Sequence, residues 1–407
     1  MKYLHKVFHE KSASEFEKTY DARFHSEMAI HVDLSIKPIN QRHTYELFYI
    51  PSNGMLHMIE DLHITSNLLA QTFNTLPSVA QQQFIHECLI DELYNTNQLE
   101  GVTSTREEIA RSTREVLLNK KTNQRFDSMI KSYFHLLSDD VRLPSTPKDI
   151  RQIYDDITNG EIAAHELPDG AIFRAEATYL LKKSGSGKVI HEGITPESEI
   201  INLTQHWLKF MNDNHEVPHL IKVAIGHFYF GYIHPFYDGN GRTSRFISSM
   251  YLTKGLGSIS TLSLSRGCNI YKHKYLEAFE IANSIRSHGE MNHFIECFLK
   301  IMIDTLEQMN SELKEKSQLL LMAAEKLREE AKLKELTESH KELMFTLAQN
   351  HFFDSHTGLT IKELSDIFGK SPATIRKIIK DLLDVSLIAQ RGERPAYFYI
   401  PAKYFES

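Results

Sequence analysis

The segment HPFYDGNGRTSR, at residues 234–245, lies between two stretches with helical character. PHLIKVAIGHFYFGYI runs directly into it, and RTSRFISSMYL resumes a helical pattern at its end. The Gly-Asn-Gly run favours a turn with exposed backbone N–H groups, because these residues tolerate left-handed backbone conformations. The sequence therefore predicts a helix, a turn and a second helix, with an anion-binding nest at the N-terminus of the second helix.

The polar residues around this turn predict a reaction of a nucleoside triphosphate. Arg242 and Arg245 are three positions apart on the first turn of the second helix, and two guanidinium groups on one side suit a polyphosphate. Asp238 would repel phosphate unless a Mg²⁺ or Mn²⁺ ion lay between them. His234 ends the preceding helix, where a neutral imidazole could act as a general base, an effect worth about 10²–10⁴ in rate.

The same segment matches the signature HPFx(D/E)GNGRxxR at every fixed position and thus resembles the Fic family. In that family the histidine deprotonates a Ser, Thr or Tyr hydroxyl of a target protein, the hydroxyl attacks the α-phosphorus of ATP, AMP is transferred and pyrophosphate leaves. The resemblance implies a mainly α fold with a helical core and a protein adenylyltransferase with ATP as substrate. It implies His234 as the base, Asp238 as the Mg²⁺ ligand, Phe236 as a core anchor, and as phosphate ligands Gly239, Asn240, Gly241, Arg242 and Arg245.

A β-hairpin flap is predicted upstream, in AIFRAEATYLLKKSGSGKVIHEGITP, which lacks helical periodicity and centres on a Ser-Gly-Ser-Gly turn. The resemblance implies that this flap holds the target peptide by β-augmentation. Its docking strand would contain Lys188, Val189, Ile190 and His191. Tyr275 and Asn283 fall roughly where family members contact the nucleoside; a core tyrosine and a helix-surface asparagine are the alternatives.

A second motif, TNQLEG at residues 96–101, ends a predicted helix and resembles the family's inhibitory pattern (S/T)xxxE(G/N). Thr96, Glu100 and Gly101 match it. The resemblance implies that Glu100 pairs with Arg245 and occupies the guanidinium group that the γ-phosphate needs. Glu100 could instead position a water for removal of AMP, and a plain helix end with a glycine cap is the alternative to both.

Four regions are predicted along the chain. Residues 1–103 form an N-terminal region with the inhibitory helix at about 80–101, and 104–305 form the catalytic domain. Residues 306–337, rich in Glu, Lys, Leu and Ala without Gly or Pro, predict a connecting helix. Residues 338–407 predict a winged helix-turn-helix, in which Ser371 and Pro372 would begin the recognition-type helix.

The winged helix makes a DNA-binding regulator, with the helical core as a nucleotide sensor, the main alternative to the enzyme. Basic residues on the recognition helix and wing favour DNA contact: Arg376, Lys377, Lys380, Arg391 and Arg394. Acidic residues nearby oppose it: Asp381, Asp384 and Glu393. The same fold also serves protein contacts and homodimers, and the formal net charge of -7 gives no global reason to bind nucleic acid.

Other signals narrow the class of protein. HEVPH at 215–219 resembles a zinc-protease motif, but Pro218 would break the helix which that motif requires. SGSGKV lacks the first glycine and the Ser/Thr of a P-loop, and His227 is expected to be a hydrogen-bonded packing residue. Three widely spaced cysteines predict no disulfide framework, and the absence of a long apolar run predicts a cytoplasmic protein without a membrane segment.

Overall fold

The computed structural model describes residues 1–117, 125–138, 140–181, 189–213, 215–353 and 358–406. The predicted class is confirmed: the described chain is mainly helical, with three short two-stranded sheets. It divides into two compact units, Met1–Asn67 with Leu89–Glu307 and Leu68–Cys88 with Gln308–Ser407. Three long helices, α3, α4 and α14, contribute residues to both units, and the four regions proposed above remain a prediction.

The first unit begins with two helices and a β-hairpin, where the sequence pattern gave no clear prediction. Ser12 and Glu15 form a capping box that starts the second helix. Leu4, Phe16 and Phe48 belong to one buried cluster. The elements of this region are α1 (Leu4–Glu10), α2 (Ala13–Phe24), β1 (Ile30–Ile36), β2 (Tyr45–Tyr49), α3 (Asn53–Asn74) and α4 (Ser78–Glu100).

The middle of the first unit contains the predicted hairpin. Thr146 and Asp149 form a capping box at the start of α7. The hairpin strands are antiparallel, with Tyr179 opposite Glu192. The elements are α5 (Arg106–Leu117), α6 (Asp127–His135), α7 (Pro147–Thr158), a 3₁₀ turn (Ala164–Glu166), β3 (Tyr179–Leu181) and β4 (Val189–Glu192).

The core of the first unit is built around α9, which is buried along nearly its whole length. Trp207 donates its indole N–H to the Gly226 carbonyl at 2.9 Å, so α8 and α9 approach closely at this glycine. The elements are α8 (Glu197–Asp213), α9 (His219–Ile233), α10 (Asn240–Leu256), α11 (Ser258–Thr261), α12 (Leu264–Ile270), α13 (Lys272–Ala282) and α14 (Asn292–Glu329).

The second unit ends in a helix-turn-helix followed by a two-stranded ladder. The predicted helix over 306–337 is instead the end of α14, which begins at Asn292, and a separate short helix. The break occurs where the Glu330 side chain caps that short helix by accepting the Lys332 N–H. The elements are α15 (Ala331–Lys334), α16 (Glu338–Phe353), α17 (Ile361–Phe368), α18 (Pro372–Asp384), β5 (Ala389–Arg391), β6 (Tyr397–Tyr399) and α19 (Lys403–Glu406).

The turn between α17 and α18 follows the predicted residue chemistry. Gly369 ends α17 in the left-handed conformation, Ser371 accepts the Thr374 N–H at 3.2 Å, and Pro372 occupies the first position of α18. Of the helices described, none is sufficiently long and apolar to cross a membrane.

Candidate active site

The turn between α9 and α10 is held by unusual backbone conformations at both ends. His234 closes α9 with a φ of 50°, and its N–H donates to the Phe230 carbonyl at 3.0 Å. Gly239 precedes α10 with a φ of 80°, and a Cβ there would lie 2.8 Å from Thr158 Cγ2. Glycine at 239 is therefore required both by the conformation and by the space available.

Asn240 fixes the inside of this turn. Its side-chain amide donates to the Phe236 carbonyl at 2.7 Å, and its side-chain oxygen accepts the Phe236 N–H at 2.9 Å. The Phe236 ring stacks on Tyr154 with ring centres 3.8 Å apart, which agrees with its expected role as an anchor. The Asn240 side chain thus shapes the loop, and only its backbone N–H remains for the predicted anion nest.

Arg242 has buried donors that lack partners. Its side chain is fully buried, and one terminal nitrogen donates to Asp238 at 3.2 Å. In the described structure its Nε and other terminal nitrogen are buried without a hydrogen-bond partner. The Asp238 side chain is 37% exposed and also accepts the Gly239 N–H. An anion at the first turn of α10 would supply the missing acceptors, and Asp238 is placed to hold a cation beside it.

Arg245 is engaged by the end of α4. It donates to the Glu100 carboxylate at 2.7 Å and, through Nε, to the Thr96 hydroxyl at 3.0 Å. A second donation reaches the Thr96 carbonyl at 3.2 Å. A Cβ on Gly241 would lie 2.7 Å from the carboxylate carbon of Glu100, so this carboxylate lies against the first turn of α10. Glu100 thereby occupies a position that suits an anionic group.

His234 is held in its neutral form. Burial lowers the pKa of His234 to about 3, and the nearby His191 and Arg174 act in the same direction. Its ring centre is 6.4 Å from that of His191, and its carbonyl accepts a hydrogen bond from Arg174 at 2.9 Å. The lowered pKa keeps the His234 imidazole unprotonated at physiological pH, so that one ring nitrogen has a free lone pair.

His191, predicted on the docking strand, lies on β4 with its side chain buried. The side chain is 4% exposed, its Nε2 donates to the Tyr232 carbonyl at 2.6 Å, and its Nδ1 accepts from the Asn283 amide at 2.7 Å. His191 therefore links the hairpin to the core and does not present its side chain to a target peptide. Asn283, expected at the nucleoside or on a helix surface, caps α13 and holds this histidine.

The other predicted flap residues and Tyr275 have different outcomes. Val189 and Ile190 lie on β4, and Lys188 lies outside the described residues. Tyr275 is 7% exposed, and its hydroxyl is 2.8 Å from Nε2 of the buried His227. The structure thus favours the core alternative for Tyr275 and places His227 as a hydrogen-bonded packing residue.

The zinc-protease resemblance does not fit the local structure. His219 is the first residue of α9, while His215 precedes that helix, so the two histidines do not share a helix face. In the part of the chain that is described, no three His, Cys, Asp or Glu side chains converge to hold a metal. A cation at Asp238 would need further ligands from a bound substrate, as is usual for Mg²⁺ with phosphates.

Two buried residues near this site were missed from the sequence. Arg174 donates to three main-chain carbonyls around the hairpin. Glu92 accepts the Ser265 N–H with both carboxylate oxygens, at 3.0 and 2.9 Å, and burial raises the pKa of Glu92 to about 7. The four-residue spacing of Glu92 with Thr96 and Glu100 on one helix was the available signal; Arg174 had none.

Comparison with known families agrees with this geometry. Residues 144–252 match the model of the Fic/DOC family. The chain therefore contains a Fic/DOC domain, and the matched region includes the hairpin, α9, the turn and most of α10.

The chain is also similar to solved structures of Fic proteins. A Fic family protein from Desulfovibrio desulfuricans G20 has 17% identity and a TM-score of 0.51, over 87% of this chain and 98% of that chain. A Fic domain containing signaling protein from Bacteroides thetaiotaomicron VPI-5482 has 19% identity and a TM-score of 0.44, over 63% and 97%. Fic-1 from C. elegans has 18% identity and a TM-score of 0.42, over 64% and 73%. Because its identity is only 17%, the similarity to the Desulfovibrio protein supports the fold alone.

Proposed function

We propose that this protein is a protein adenylyltransferase that transfers AMP from ATP to a Ser, Thr or Tyr hydroxyl of a target protein, and to itself. One observation carries the proposal: the turn from His234 to the first turn of α10 holds a neutral histidine, a carboxylate and a buried arginine with unpartnered donors. This set of groups suits a triphosphate, a divalent cation and a proton acceptor.

ATP would bind at the first turn of α10. The first N–H groups of a helix have no acceptor within the helix, and the helix dipole adds partial positive charge there. The unpartnered nitrogens of Arg242 would donate to the outer phosphates. Asp238 would hold Mg²⁺ or Mn²⁺, which when bound would neutralise charge on the phosphate oxygens and the leaving pyrophosphate.

His234 would then activate the target. The neutral imidazole accepts the proton of the hydroxyl as its oxygen bonds to the α-phosphorus of ATP. The bond from the α-phosphorus to the oxygen bridging the α- and β-phosphates breaks, and pyrophosphate leaves with that oxygen. The products are an AMP ester of the hydroxyl and protonated His234, which releases its proton to solvent. The edge of the β3–β4 hairpin would supply the strand that holds the target.

The same proposal includes autoinhibition by Glu100. Its carboxylate is bonded to Arg245 and lies against Gly241, where a phosphate group of ATP would approach. Two anions cannot share one guanidinium group and one helix N-terminus without repulsion. Glu100 would thus compete with the γ-phosphate, and ATP bound beside it would be misaligned for attack.

The test follows AMP transfer from α-labelled ATP with Mg²⁺ to the purified protein and to lysate proteins. Glu100→Gly should transfer label faster than the wild type, and the double variant Glu100→Gly/His234→Ala should transfer none. His273→Ala in the Glu100→Gly protein is the control, because its side chain is 92% exposed. Labelling that persists without His234, or no labelling by Glu100→Gly, would contradict the proposal.

Two variants of the reaction are separated by the same assay. ATP, GTP, UTP and CTP compared at equal concentration test whether another nucleotide is the donor. If wild-type protein removes label from protein modified by Glu100→Gly, then Glu100 serves AMP removal. Mass spectrometry of the labelled proteins would identify the target and its modified residue.

DNA binding by the second unit is the second candidate function. Arg376, Lys377 and Lys380 are exposed on α18, and no acidic residue occurs from Ser371 to Lys380. Mobility shifts of duplex DNA at 50 and 200 mM salt test this, with Arg376→Ala/Lys377→Ala expected to abolish a salt-sensitive shift. A homodimer or a protein partner on this surface would instead leave the DNA unshifted and change the hydrodynamic mass.

A further inference from the structure

Arg174 is a buried cation whose acceptors, among the residues that the structure describes, are all main-chain carbonyls. Its side chain is 0% exposed. Nε donates to His234 O at 2.9 Å, one terminal nitrogen donates to Glu176 O at 2.6 Å, and the other donates to Ile194 O at 2.8 Å. The Arg174 N–H also donates to Pro235 O at 3.2 Å. Burial lowers the pKa of Arg174 to about 10.

These acceptors lie on two different parts of the site. Glu176 precedes β3 and Ile194 follows β4, so the guanidinium group joins the two ends of the hairpin. His234 and Pro235 belong to the turn after α9. The Ile194 N–H adds a second connection, to Ile233 O at 3.2 Å. Arg174 therefore ties the base of the hairpin to the residue that carries the catalytic imidazole.

Burying a charge without an acidic partner costs free energy, so the presence of an arginine at position 174 needs a physical reason. An apolar residue would fill the space without this cost, but it would leave three carbonyls unpaired. A planar guanidinium group carries its donors on three separate nitrogens and can therefore reach three carbonyls that lie apart. Lysine keeps the charge and lacks this geometry, which makes it the informative replacement.

We propose that Arg174 is a positioning residue that fixes His234 relative to the hairpin on which a target strand docks. The inference rests on the proposed function. In that reaction one strand edge sets where the target hydroxyl lies, and His234 must be within hydrogen-bond reach of it. The contacts of Arg174 with both ends of the hairpin and with the His234 carbonyl set that distance.

Arg174 makes none of its hydrogen bonds to the groups that would bind phosphate. Arg242 and Arg245 have other partners, Asp238 and Glu100 respectively. Loss of the Arg174 contacts should consequently change the transfer rate and leave ATP affinity unaltered. A general loss of folding would lower both, which gives the experiment its discrimination.

The experiment compares Arg174→Lys with Arg151→Lys, both in the Glu100→Gly protein. Arg151 is the matched control, since it donates to the Ile172 carbonyl at 2.8 Å just before the hairpin and to the Asp155 carboxylate, and its described hydrogen bonds do not reach the turn. Calorimetry should give an ATP Kd within about 2-fold for both variants. Label transfer at saturating ATP should fall about 10- to 100-fold in Arg174→Lys, the scale expected for a misplaced reacting group, and less than about 3-fold in Arg151→Lys.

Hydrogen exchange gives a readout independent of activity. Arg174→Lys should speed exchange in β3, β4 and residues 234–236 together, with α18 unchanged. If Arg174→Lys does not fold, Gly193→Ala takes its place in both measurements and should give the same changes. A Cβ at position 193 would lie 3.2 Å from Arg174 Cζ and closer still to its terminal nitrogen, so it would displace the guanidinium group.

An unchanged transfer rate, or a loss of ATP affinity equal to the loss of rate, would overturn the inference. Failure of the Glu100→Gly parent to transfer label would instead reject the proposed function. The coupling of the hairpin to the turn would then still be judged from hydrogen exchange.

Discussion

Arg174 and Arg245 are both buried arginines beside the turn between α9 and α10, yet they are held in different ways. On the hairpin side, the described bonds of Arg174 all go to main-chain carbonyls. On the α4 side, Arg245 bonds to the side chains of Thr96 and Glu100 and to one carbonyl. The Glu100 side chain is 25% exposed and belongs to the last residue of its helix.

This difference indicates which of the two arginines can lose its contacts without unfolding of the domain. Main-chain carbonyls inside the fold cannot leave Arg174 without disturbing the hairpin and the turn. A carboxylate at a helix end can leave Arg245 by movement of one turn of α4, and an incoming phosphate could replace it. We expect the hairpin side to respond to conditions that unfold the domain, and the α4 side to respond to local changes.

The largest expected effect is a loss of stability in acid. It is caused by two buried histidines, His191 on the hairpin and His227 on α9. Burial lowers the pKa of His191 to about 4 and that of His227 to about 3, below the value of about 6.5 in the unfolded chain. The unfolded state therefore binds more protons below pH 6.5, and stability present above that pH is lost on acidification. At pH 5 we expect each histidine to cost about 2 kcal/mol of unfolding free energy. Urea unfolding at pH 7.5 and at pH 5.0 would measure this loss.

The control separates His191 from the other titrating groups. His191→Gln should reduce the difference in unfolding free energy between the two pH values by about 2 kcal/mol, while the exposed His273→Gln should leave it unchanged. Equal pH dependence in the wild type and His191→Gln would mean that the hairpin side does not depend on a neutral His191.

The chemistry at 234–245 could be predicted because it is local: consecutive residues set the turn, the helix start and the charges. The pairing of Glu100 with Arg245 came from a family resemblance, and the observed ion pair agrees with its geometry. Arg174 could not be predicted, and the spacing of Glu92 with Thr96 indicates only a shared helix face. Periodicity indicates whether a position is buried but not which distant backbone group it meets.

The surroundings of other predicted site residues were equally beyond the reach of sequence patterns. His191 lies on the predicted strand, but alternation along a short strand does not say which face packs on α9, and its side chain is buried. Tyr275 bonds to the buried His227, and Asn283 bonds to His191. The helix over 306–337 was misjudged because its composition allowed continuity, whereas a single capping side chain, Glu330, interrupts it.

The α4 side should show the next largest effect, through the charge of Glu100. A hydrogen bond between charged groups contributes about 1.5–3 kcal/mol, so its loss in Glu100→Gly should raise label transfer about 10- to 100-fold. Glu100→Gln keeps a neutral acceptor and should raise it by less, about 3- to 10-fold. Initial rates at several ATP concentrations measure both. A Glu100→Gln rate equal to that of Glu100→Gly would mean that charge alone holds the contact.

Thr96 should have a smaller effect because it contributes a neutral acceptor. Thr96→Ala removes the hydroxyl that accepts from Arg245, about 1 kcal/mol, and should raise transfer about 5-fold. Thr96→Ser keeps the hydroxyl and should resemble the wild type. In the Glu100→Gly protein, Thr96→Ala should add less than about 2-fold, since both residues act through one arginine. Full additivity would show that Thr96 acts elsewhere.

The smallest expected effect concerns Gly101, which ends α4 beside Glu100. Its φ is 81°, and the Val102 N–H donates to the Asn97 carbonyl at 3.0 Å, as in a Schellman helix end. A Cβ at 101 meets no atom within 4 Å, so Gly101→Ala adds only conformational strain, about 1 kcal/mol. That strain should loosen the turn carrying Glu100 and raise label transfer up to about 5-fold.

Replacement by asparagine, and the same change at another helix end, isolate the cause. Asparagine tolerates the left-handed conformation, so Gly101→Asn should stay within about 2-fold of the wild type. Gly369 ends α17 with a φ of 59°, also without atoms within 4 Å of a Cβ, and the Lys370 N–H donates to Ser365 O at 3.2 Å. Gly369→Ala should cost similar stability without raising transfer. If both alanine variants raise it equally, general loosening rather than release of the α4 side explains the gain, and the contrast with the hairpin side fails.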